Sequence, residues 1–457
     1  MITVAEYKGQ KVGVFGLGKA GEAAVAALAA GGAEVYAWDD RMAEGGGRMT
    51  SNFPSSVICH PFSQWDWKEI KALVLSPGVP LTHPKPHAVV ELAKKHNVPV
   101  IGEVELLARA CPQAKLVGIT GTNGKSTTTT LIGHILSEAG VNVQVGGNLG
   151  TPALALEPLG KDGVYVIEMS SYQLDLVRTA RFNVALLLNI TPDHIDRHGD
   201  MAGYIAAKKH IFERQGAGDV AVVAVDDEYT RGIRDSGFGI QGSKVIPVSS
   251  QNELKDGVYV KDGILHDMLN PESWNLNPIV ALTGRHNWQN AAAAYAACKA
   301  CGVDADKIYA AMKSFGGLRH RLQLVANING VRFINDSKAT NADATANALA
   351  PYQNILWIAG GKPKEGGISS LGKYFSNIAH AFLIGEAAGE FAKTLEGKVA
   401  YTQCGTLEVA VKKAAEMAKE GDVVLLSPAC ASFDQFKSFE HRGDVFCELV
   451  EELANAS

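Results

Sequence analysis

Residues 118–126 read Gly-Ile-Thr-Gly-Thr-Asn-Gly-Lys-Ser, a glycine-rich stretch that ends in a lysine and a hydroxyl side chain. An apolar run precedes it at residues 115–119, and a helix is predicted for residues 125–140. Inward-facing backbone N–H groups, a helix N-terminus and the Lys125 ammonium would surround an anion, while the Ser126 hydroxyl can bind Mg²⁺. The pattern predicts a loop that binds the phosphates of a nucleotide.

The glycine spacing of this loop is unusual. A standard phosphate loop has a glycine six residues before its lysine. Here Ile119 occupies that position, and the glycines are Gly118 and Gly121. The departure narrows the set of proteins in which such a loop occurs.

Polar side chains also follow later predicted strands. Glu168 comes directly after a strand predicted at residues 163–167, where a Mg²⁺ ligand beside a phosphate loop belongs. An acid favoured by a helix dipole is the alternative. The next such loop, residues 189–198, holds two histidines and two aspartates. His194 is the better ligand candidate because it is nearer the strand, whereas His198 can equally be a solvated surface histidine.

Two predicted helices of the central region carry polar residues with simple structural explanations. By composition alone, Lys208 is a solvated lysine on a helix. His286, Asn287 and Asn290 open a helix predicted at residues 286–301, where they either cap the helix or contact a nucleotide.

A second glycine motif, Gly-Leu-Gly-Lys-Ala-Gly at residues 16–21, follows the first predicted strand and opens a helix. Asp39 ends the second strand about twenty residues further on, which is the form of a dinucleotide-binding fingerprint. NAD binding, binding of another nucleotide diphosphate and a purely structural turn are all compatible with this motif. A small-residue loop at residues 76–78 follows the third strand and favours a binding site at that edge of the sheet.

Three polar loops follow predicted strands in the last third of the chain, at residues 335–341, 360–364 and 427–436. A cationic patch at residues 319–321 precedes them. Because loops at the carboxyl ends of parallel strands meet at one edge, we expect these loops to gather in one crevice. Their carboxylate, ammonium and hydroxyl groups suit a nucleotide or an anionic substrate.

Strand-like and helix-like segments alternate along the chain, which predicts parallel sheets covered by helices. Hairpins are predicted around residues 261–263, on the edge of their sheet, and at residues 329–330. Residues 44–54 read as an exposed loop. We expect an α/β protein with an N-terminal Rossmann-like domain, a central domain of P-loop ATPase type and a C-terminal Rossmann-like domain, each with a parallel sheet. The predicted domains are residues 1–103, 104–317 and 318–457.

The bulk composition agrees with this division, because 457 residues suffice for about three domains. A net charge of −5 and a pI near 6.2 argue against nucleic acid and anionic membranes as partners. We see no secretory signal and no apolar run of ~18 residues, and seven scattered cysteines suit a reducing compartment. We therefore expect a cytoplasmic protein with no membrane partner. We also expect a monomer, although none of these observations bears on the oligomeric state.

Taken together, the motifs resemble those of the Mur ligase family of peptidoglycan synthesis, in order and over nearly the whole chain. The shifted loop glycine is typical of this family and of its relative folylpolyglutamate synthetase, in which residues 16–21 and 427–435 would have no role. The resemblance implies a ligase that uses ATP and Mg²⁺ to add D-glutamate to UDP-N-acetylmuramoyl-L-alanine through an acyl phosphate. The matching segments are residues 121–126, 168–174, 193–197, 284–287, 320–321, 335–341 and 427–436.

The resemblance also implies a role for each matching residue. Lys125, His194 and Lys208 would act in catalysis, and Lys208 would carry a carbamate. Two Mg²⁺ ions would be held by Ser126, Glu168, His194 and Lys208. ATP would contact Gly121, Thr122, Asn123, Gly124, Lys125, Ser126, Asn287, Asn290, Arg321, Asp336 and Lys338. The UDP-linked substrate would face Gly18, Asp39, Arg41, Ser76, Gly78 and Asn148. D-Glutamate would be received by Thr340, Lys364, Ser432 and Phe439.

Two functional classes compete with a ligase. An NAD-dependent oxidoreductase built on residues 16–21 leaves the phosphate loop and its Mg²⁺ ligands unexplained. A nucleotide-binding regulator without catalysis would not need Glu168, His194 and Lys208.

Overall fold

The computed structural model describes residues 1–42, 53–54, 56–237, 242–363 and 366–456. The chain forms two compact units, Met1–Pro278 with Arg285–Ser314 and Ile279–Gly284 with Phe315–Ser457. Two β-sheets belong to the first unit and one to the second. None of the helices within the described ranges combines the length and hydropathy that a bilayer crossing requires.

The first sheet has five parallel strands in the order β3-β2-β1-β4-β5. Its strands are β1 (Lys11–Phe15), β2 (Glu34–Trp38), β3 (Val57–Ile58), β4 (Ile70–Leu75) and β5 (Val100–Ile101). Its helices are α1 (Lys19–Ala30), α2 (Ala88–Lys95) and α3 (Glu103–Ala110). The predicted alternation is confirmed. The two-residue strand β3 and the helix α3 were missed, and most of the predicted loop at residues 44–54 lies outside the described residues.

The second sheet has nine strands in the order β14-β13-β12-β11-β10-β9-β6-β8-β7. The strands are β6 (Lys115–Thr120), β7 (Val143–Gly147), β8 (Val164–Glu168), β9 (Val184–Leu187), β10 (Val220–Ala224), β11 (Lys244–Ser249), β12 (Val258–Lys261), β13 (Ile264–Asp267) and β14 (Glu272–Asn275). The helices are α4 (Lys125–Glu138), α5 (Ser171–Leu174), α6 (Ile195–His198), α7 (Met201–Lys209), α8 (Glu228–Ser236), α9 (Arg285–Ala300) and α10 (Ala305–Ser314).

The predicted hairpin is present between β12 and β13, but its position at the sheet edge was wrong. Strand β14 pairs antiparallel with β13 and is itself the edge strand. This strand escaped prediction because three of its four residues are exposed, so it lacks an apolar pattern.

The third sheet has six strands in the order β15-β16-β20-β17-β18-β19. The strands are β15 (Gln323–Ile328), β16 (Val331–Asn335), β17 (Ile355–Gly360), β18 (Ile378–Ile384), β19 (Tyr401–Gly405) and β20 (Val423–Leu426). The helices are α11 (Ala342–Leu349), α12 (Ala388–Leu395), α13 (Leu407–Met417) and α14 (Phe439–Ala456). The hairpin at residues 329–330 is confirmed, and it makes β15 antiparallel to β16.

The expectation of a parallel sheet in every domain holds only for the first sheet. The second and third sheets have parallel centres with antiparallel strands at one side. The central strands are apolar on both faces, as parallel strands covered by helices must be; β8 and β17, for example, are buried throughout. The three sheets lie within the three predicted ranges, while the boundaries at residues 103/104 and 317/318 stay predictions.

Candidate functional site

The phosphate loop connects β6 to α4, in the middle of the second sheet. Gly124 begins the helix in a left-handed conformation with φ of 82°, and a Cβ there would overlap the Asn290 side chain. The Lys125 Nζ donates to the carbonyl oxygens of Gly121 and Thr122 at 3.0 and 2.8 Å. The lysine therefore lies over the loop, as the sequence pattern predicts.

Asn189, two residues after the end of β9, bonds to the phosphate loop from the side of the neighbouring strand. Its Oδ1 accepts from the Asn123 N–H at 2.7 Å, and its backbone oxygen accepts from the Thr122 N–H at 2.9 Å. Its Nδ2 donates to the Asn123 carbonyl at 3.1 Å. Sequence reasoning assigned no role to Asn189, although its place directly after a strand beside the loop was a usable signal.

The first turn of α9 lies against the same loop. The Oδ1 of Asn290 accepts from the Thr128 hydroxyl at 3.2 Å, and its Nδ2 donates to Asn287 Oδ1 at 3.2 Å. The structure therefore brings Asn287 and Asn290 to the start of α4, next to Gly124.

Glu168 ends β8 and is almost fully buried beside β6. Its Oε1 accepts from the Asn148 side-chain amide at 2.7 Å, whereas its Oε2 has no hydrogen-bond partner. A buried carboxylate oxygen without a donor is costly unless a cation satisfies it. Asn148, which sequence reasoning associated with the UDP-linked substrate, thus lies against Glu168.

Lys208 is buried on α7, with 1% of its surface exposed, so the composition-based interpretation of a solvated lysine is wrong. Its Nζ donates to the Gly121 carbonyl at 2.9 Å and lies 4.5 Å from the centre of the Tyr204 ring. Burial, and then the charge of Lys125, lower the pKa of Lys208 to about 7. Among the described residues, no carboxylate oxygen lies within ion-pair distance of this amine.

The two histidines after β9 lie in different environments. His194 is exposed, precedes α6 with φ of 52°, and lies 3.5 Å from an Asp193 oxygen. His198 is buried, and its Nε2 is 2.9 Å from the Ser171 hydroxyl, so the interpretation as a surface histidine is wrong. Burial, followed by the charge of Lys208, lowers the pKa of His198 to about 4 and keeps the ring neutral.

The glycine motif of the first sheet is tied to Asp39. One Asp39 oxygen accepts from the Leu17 N–H at 2.7 Å, and both oxygens accept from the Arg41 guanidinium at 2.8 and 2.9 Å. Hydrogen bonding to Arg41 lowers the pKa of Asp39 to about 2. A carboxylate engaged in this way is not free to bind a ribose, which weakens the NAD interpretation. Gly18, Ser76 and Gly78 lie at the same carboxyl edge, after β1 and β4.

In the second unit, the predicted loops after β16 and β20 lie together. The buried Asp336 accepts from the Ser427 hydroxyl at 2.8 Å, and burial raises its pKa to about 7. Lys338 extends over the ring of Phe439, with its Nζ 3.9 Å from the ring centre. Arg321 and Thr340 are half-buried and Ser432 is buried in the same unit. Lys364 lies outside the described residues.

Arg442 on α14 is the organising residue that sequence reasoning missed. It is fully buried and donates to the Ser337 hydroxyl and carbonyl at 2.9 Å each. It also donates to the carbonyls of Cys430 and Ala431 at 3.2 and 3.4 Å. Burial lowers its pKa to about 10. An arginine in an amphipathic helix is normally predicted to be exposed, so no local signal could have identified Arg442 as a buried residue.

The described residues contain no group of three or more histidine, cysteine, aspartate or glutamate side chains arranged to hold a metal. The predicted metal ligands agree with this absence, since only Glu168 and His194 are residues of these types and the other two are a hydroxyl, Ser126, and an amine, Lys208. The unmatched Glu168 oxygen is the feature that fits a cation.

A phosphate loop on a nine-stranded sheet, with one α/β sheet before it in the chain and another after it, defines a multidomain α/β protein of the phosphate-loop class. Residues 10–102 match the N-terminal domain of Mur ligases of the MurD-like type, and residues 119–298 match the Mur ligase middle domain. Residues 320–430 match the Mur ligase glutamate ligase domain. The chain belongs to the Mur ligase family.

Curated relatives match along the whole chain. The UDP-N-acetylmuramoylalanine–D-glutamate ligase of Rhodospirillum rubrum is 52% identical, covering 100% of this chain and 97% of the relative. The enzyme of the same name from Paramagnetospirillum magneticum is 50% identical, with coverages of 99% and 98%. Among solved structures, UDP-N-acetylmuramate–alanine ligase from Thermotoga maritima aligns with a TM-score of 0.58 at 17% identity, covering 97% and 99% of the two chains, and this likeness concerns the fold.

Proposed function

We propose that this chain joins D-glutamate to UDP-N-acetylmuramoyl-L-alanine, with hydrolysis of ATP, in the synthesis of peptidoglycan precursors. The observation that carries this proposal is the 50–52% identity, over essentially the full length, to two enzymes named for that ligation. The phosphate loop, with Lys125 folded over it, supplies the ATP site that such a reaction needs.

ATP would lie on the loop at residues 121–126, with Asn287 and Asn290 beside it. Arg321, Asp336 and Lys338 are further proposed ATP contacts. Glu168 fits Mg²⁺ because its buried Oε2 has no other partner. We assign one ion to Ser126 and Glu168, and a second to His194 and Lys208. When bound, Mg²⁺ would screen the repulsion between the anionic oxygens of ATP and of the substrate carboxylate.

Lys208 would become a metal ligand by carbamylation. Its buried amine, with a pKa of about 7, is about half neutral at pH 7 and largely neutral above it, and the neutral form is nucleophilic. The nitrogen would attack the carbon of CO₂ and lose a proton, which creates an anionic carbamate. If this is correct, short carboxylates should rescue the activity of Lys208→Ala, and wild-type activity of that variant without rescue would exclude it.

The reaction would proceed through an acyl phosphate. A carboxylate oxygen of the muramoyl-alanine attacks the γ-phosphorus of ATP, and ADP leaves. The D-glutamate amine then attacks the acyl carbon, phosphate leaves, and the amine releases a proton, so that an amide remains. Lys125 and the loop N–H groups stabilise the charge that develops on the transferred phosphoryl group.

The UDP-linked substrate would bind at the carboxyl edge of the first sheet. Asp39 would hold the glycine loop through the Leu17 N–H and would also hold Arg41. The Arg41 side chain is 72% exposed and would face the diphosphate. Gly18, Ser76 and Gly78 would line the same edge, and Asn148 would contact the substrate from the Glu168 side. D-Glutamate would be received by Thr340, Lys364, Ser432 and Phe439.

A phosphate-release assay with UDP-N-acetylmuramoyl-L-alanine and a panel of D- and L-amino acids tests the proposal. We expect release only when ATP, the UDP-linked substrate and D-glutamate are all present. Lys125→Ala should abolish release while the UDP-linked substrate still binds. Release that needs neither co-substrate, full turnover by Lys125→Ala, or oxidation of NADH would overturn the proposal.

A further inference from the structure

Arg197 connects two parts of the first unit. It lies on α6, in the histidine-containing segment after β9, and it bonds to the small-residue loop at residues 76–78 of the first sheet. Arg197 directly precedes His198 on α6, and it is not among the predicted catalytic or binding residues. Its Nη1 donates to the Gly78 carbonyl at 3.2 Å and its Nη2 to the Pro77 carbonyl at 3.4 Å. Both carbonyls belong to the loop at residues 76–78, which we call the substrate loop.

Tyr172 fixes the direction of this arginine. The guanidinium carbon of Arg197 lies 4.5 Å from the centre of the Tyr172 ring, so the planar cation stacks on the aromatic face. Among the described residues, no carboxylate lies within ion-pair distance of the guanidinium. The stack and the two carbonyls therefore determine where the guanidinium lies.

The stack continues towards the phosphate loop. The rings of Tyr172 and His198 are parallel within 15° at 5.4 Å, and His198 lies 5.4 Å from Tyr204. The Tyr204 hydroxyl is 3.1 Å from the Thr122 hydroxyl. The Lys208 amine lies over the face of the Tyr204 ring. An unbroken set of contacts thus runs from the substrate loop to the phosphate loop.

The segment after α6 also approaches the first sheet's part of the chain closely at a second place. Gly199 follows α6 with φ of 83°, and a Cβ on it would lie only 2.9 Å from the His83 ring nitrogen. His83 belongs to the segment between β4 and α2, in the first sheet's part of the chain. The end of α6 is therefore packed tightly against the region that follows the substrate loop.

From this geometry we propose that Arg197 is a positioning residue for the UDP-linked substrate. It holds the Pro77 and Gly78 carbonyls so that the substrate loop presents its other backbone groups to the ligand in a fixed register with Lys208 and the phosphate loop. It contacts no reacting atom. This inference rests on the proposed function, because it concerns the binding of that substrate.

Steady-state kinetics of Arg197→Ala and Arg197→Lys in the full chain test this role. We expect Arg197→Ala to raise KM for the UDP-linked substrate about tenfold, since two charge-assisted hydrogen bonds are lost, with KM for ATP changed less than about twofold. Arg197→Lys should recover part of the loss, because an ammonium cannot reproduce the two-pronged contact. Calorimetric binding of the UDP-linked substrate without ATP should weaken in parallel.

Controls separate positioning from general damage. A merely structural role would lower the active fraction, and hence kcat, without a selective rise in one KM. Arg214→Ala is the matched control, because Arg214 also donates to a backbone carbonyl, that of Arg178 at 2.9 Å, away from the substrate loop. Tyr172→Leu should raise the same KM, and the double variant Arg197→Ala with Tyr172→Leu should be little worse than Arg197→Ala alone.

Three outcomes decide the matter. Unchanged KM for the UDP-linked substrate in Arg197→Ala, or equal rises in all three KM values, overturns the inference. If Arg197→Ala loses more than about 5 °C in Tm, the test moves to Arg197→Lys. A selective rise of its KM for the UDP-linked substrate supports the inference, and an unchanged KM overturns it. Wild-type protein that fails to release phosphate in response to D-glutamate and the UDP-linked substrate refutes the proposed function instead.

Discussion

The side-chain nitrogen of Lys208 lies 2.9 Å from the carbonyl oxygen of Gly121, so a buried amine on α7 bonds directly to the backbone of the phosphate loop. Its neighbour in sequence, Lys209, is only partly buried. This difference in burial favours Lys208 over Lys209 as the lysine that would act in the proposed site.

Replacing Lys208 by methionine should abolish ligation while the fold remains intact. We expect a loss of about 10²-fold or more in kcat, with a Tm equal to or above that of the wild type because a buried ionisable group is removed. Lys209→Met is the matched control and should stay within about twofold of wild-type activity. If Lys209→Met were inactive and Lys208→Met active, Lys209 and not Lys208 would be the catalytic lysine.

Glu168→Gln should make ligation demand far more Mg²⁺. The glutamine oxygen can still accept from the Asn148 amide, but the charge on the unmatched Oε2 is gone. We expect the Mg²⁺ concentration for half-maximal phosphate release to rise at least about tenfold, with no loss of Tm. The exposed Glu138→Gln at the end of α4 is the control. An unchanged Mg²⁺ titration would remove Glu168 from the metal site.

Gly124→Ala and Gly140→Ala form a pair that separates backbone strain from overlap. Both glycines have φ near 80°, but only at Gly124 would a Cβ meet another atom, the Oδ1 of Asn290. Urea unfolding should show a cost of about 1–2 kcal/mol for each left-handed alanine, and a larger one for Gly124→Ala. Nucleotide binding, measured by fluorescence titration, should be lost only in Gly124→Ala. Normal nucleotide binding by Gly124→Ala would show that the Asn290 side chain can move away from the added Cβ without loss of the site.

Glu103 should make stability depend on pH. It is buried at the start of α3, and although the N–H groups of Ala153 and Leu154 and the Gln173 side chain are near, neither of its oxygens has a hydrogen-bond partner. Burial raises its pKa to about 7. The folded state therefore keeps a proton that the unfolded chain releases near pH 4.5, and stability falls as pH rises from there to about 7.

The size of this effect is about 3 kcal/mol at most, and Glu103→Gln should remove it. Chemical denaturation at pH 5 and pH 7.5 measures the change, and the difference between wild type and variant cancels the other titrating groups. Equal pH dependence of the two proteins would mean that the carboxylate finds a partner when it ionises.

Arg442→Met should disorganise the proposed D-glutamate site. Four donated hydrogen bonds to the loops after β16 and β20 would be lost, leaving buried acceptors without donors. We expect a destabilisation of at least about 2 kcal/mol and a rise of at least about tenfold in KM for D-glutamate. Arg319→Met, which removes an exposed partner of Asp444, should have neither effect. A selective change in KM for the UDP-linked substrate would contradict this assignment.

Many of the strands that sequence patterns identified are mostly apolar, such as β1, β2 and β20. Three of the strands that were not predicted have a visible reason. Strand β7 contains two glycines and is only half-buried, β11 contains Pro247, and β14 is exposed. Their places in the sheet come from pairing with neighbours far away in sequence, which no local pattern records.

The sequence alone determined the features that depend on contiguous residues: the phosphate loop, the two hairpin turns, the glycine motif and the order of the family's motifs. In each of these, backbone conformation and a few neighbouring side chains suffice. Only the tertiary structure decided the state of Lys208, His198 and Arg442. Whether such a group is solvated or buried depends on what distant segments place around it, and that burial sets its pKa and its hydrogen-bond partners. The phosphate loop could thus be identified from its own nine residues, whereas the burial of the Lys208 amine against that loop could not.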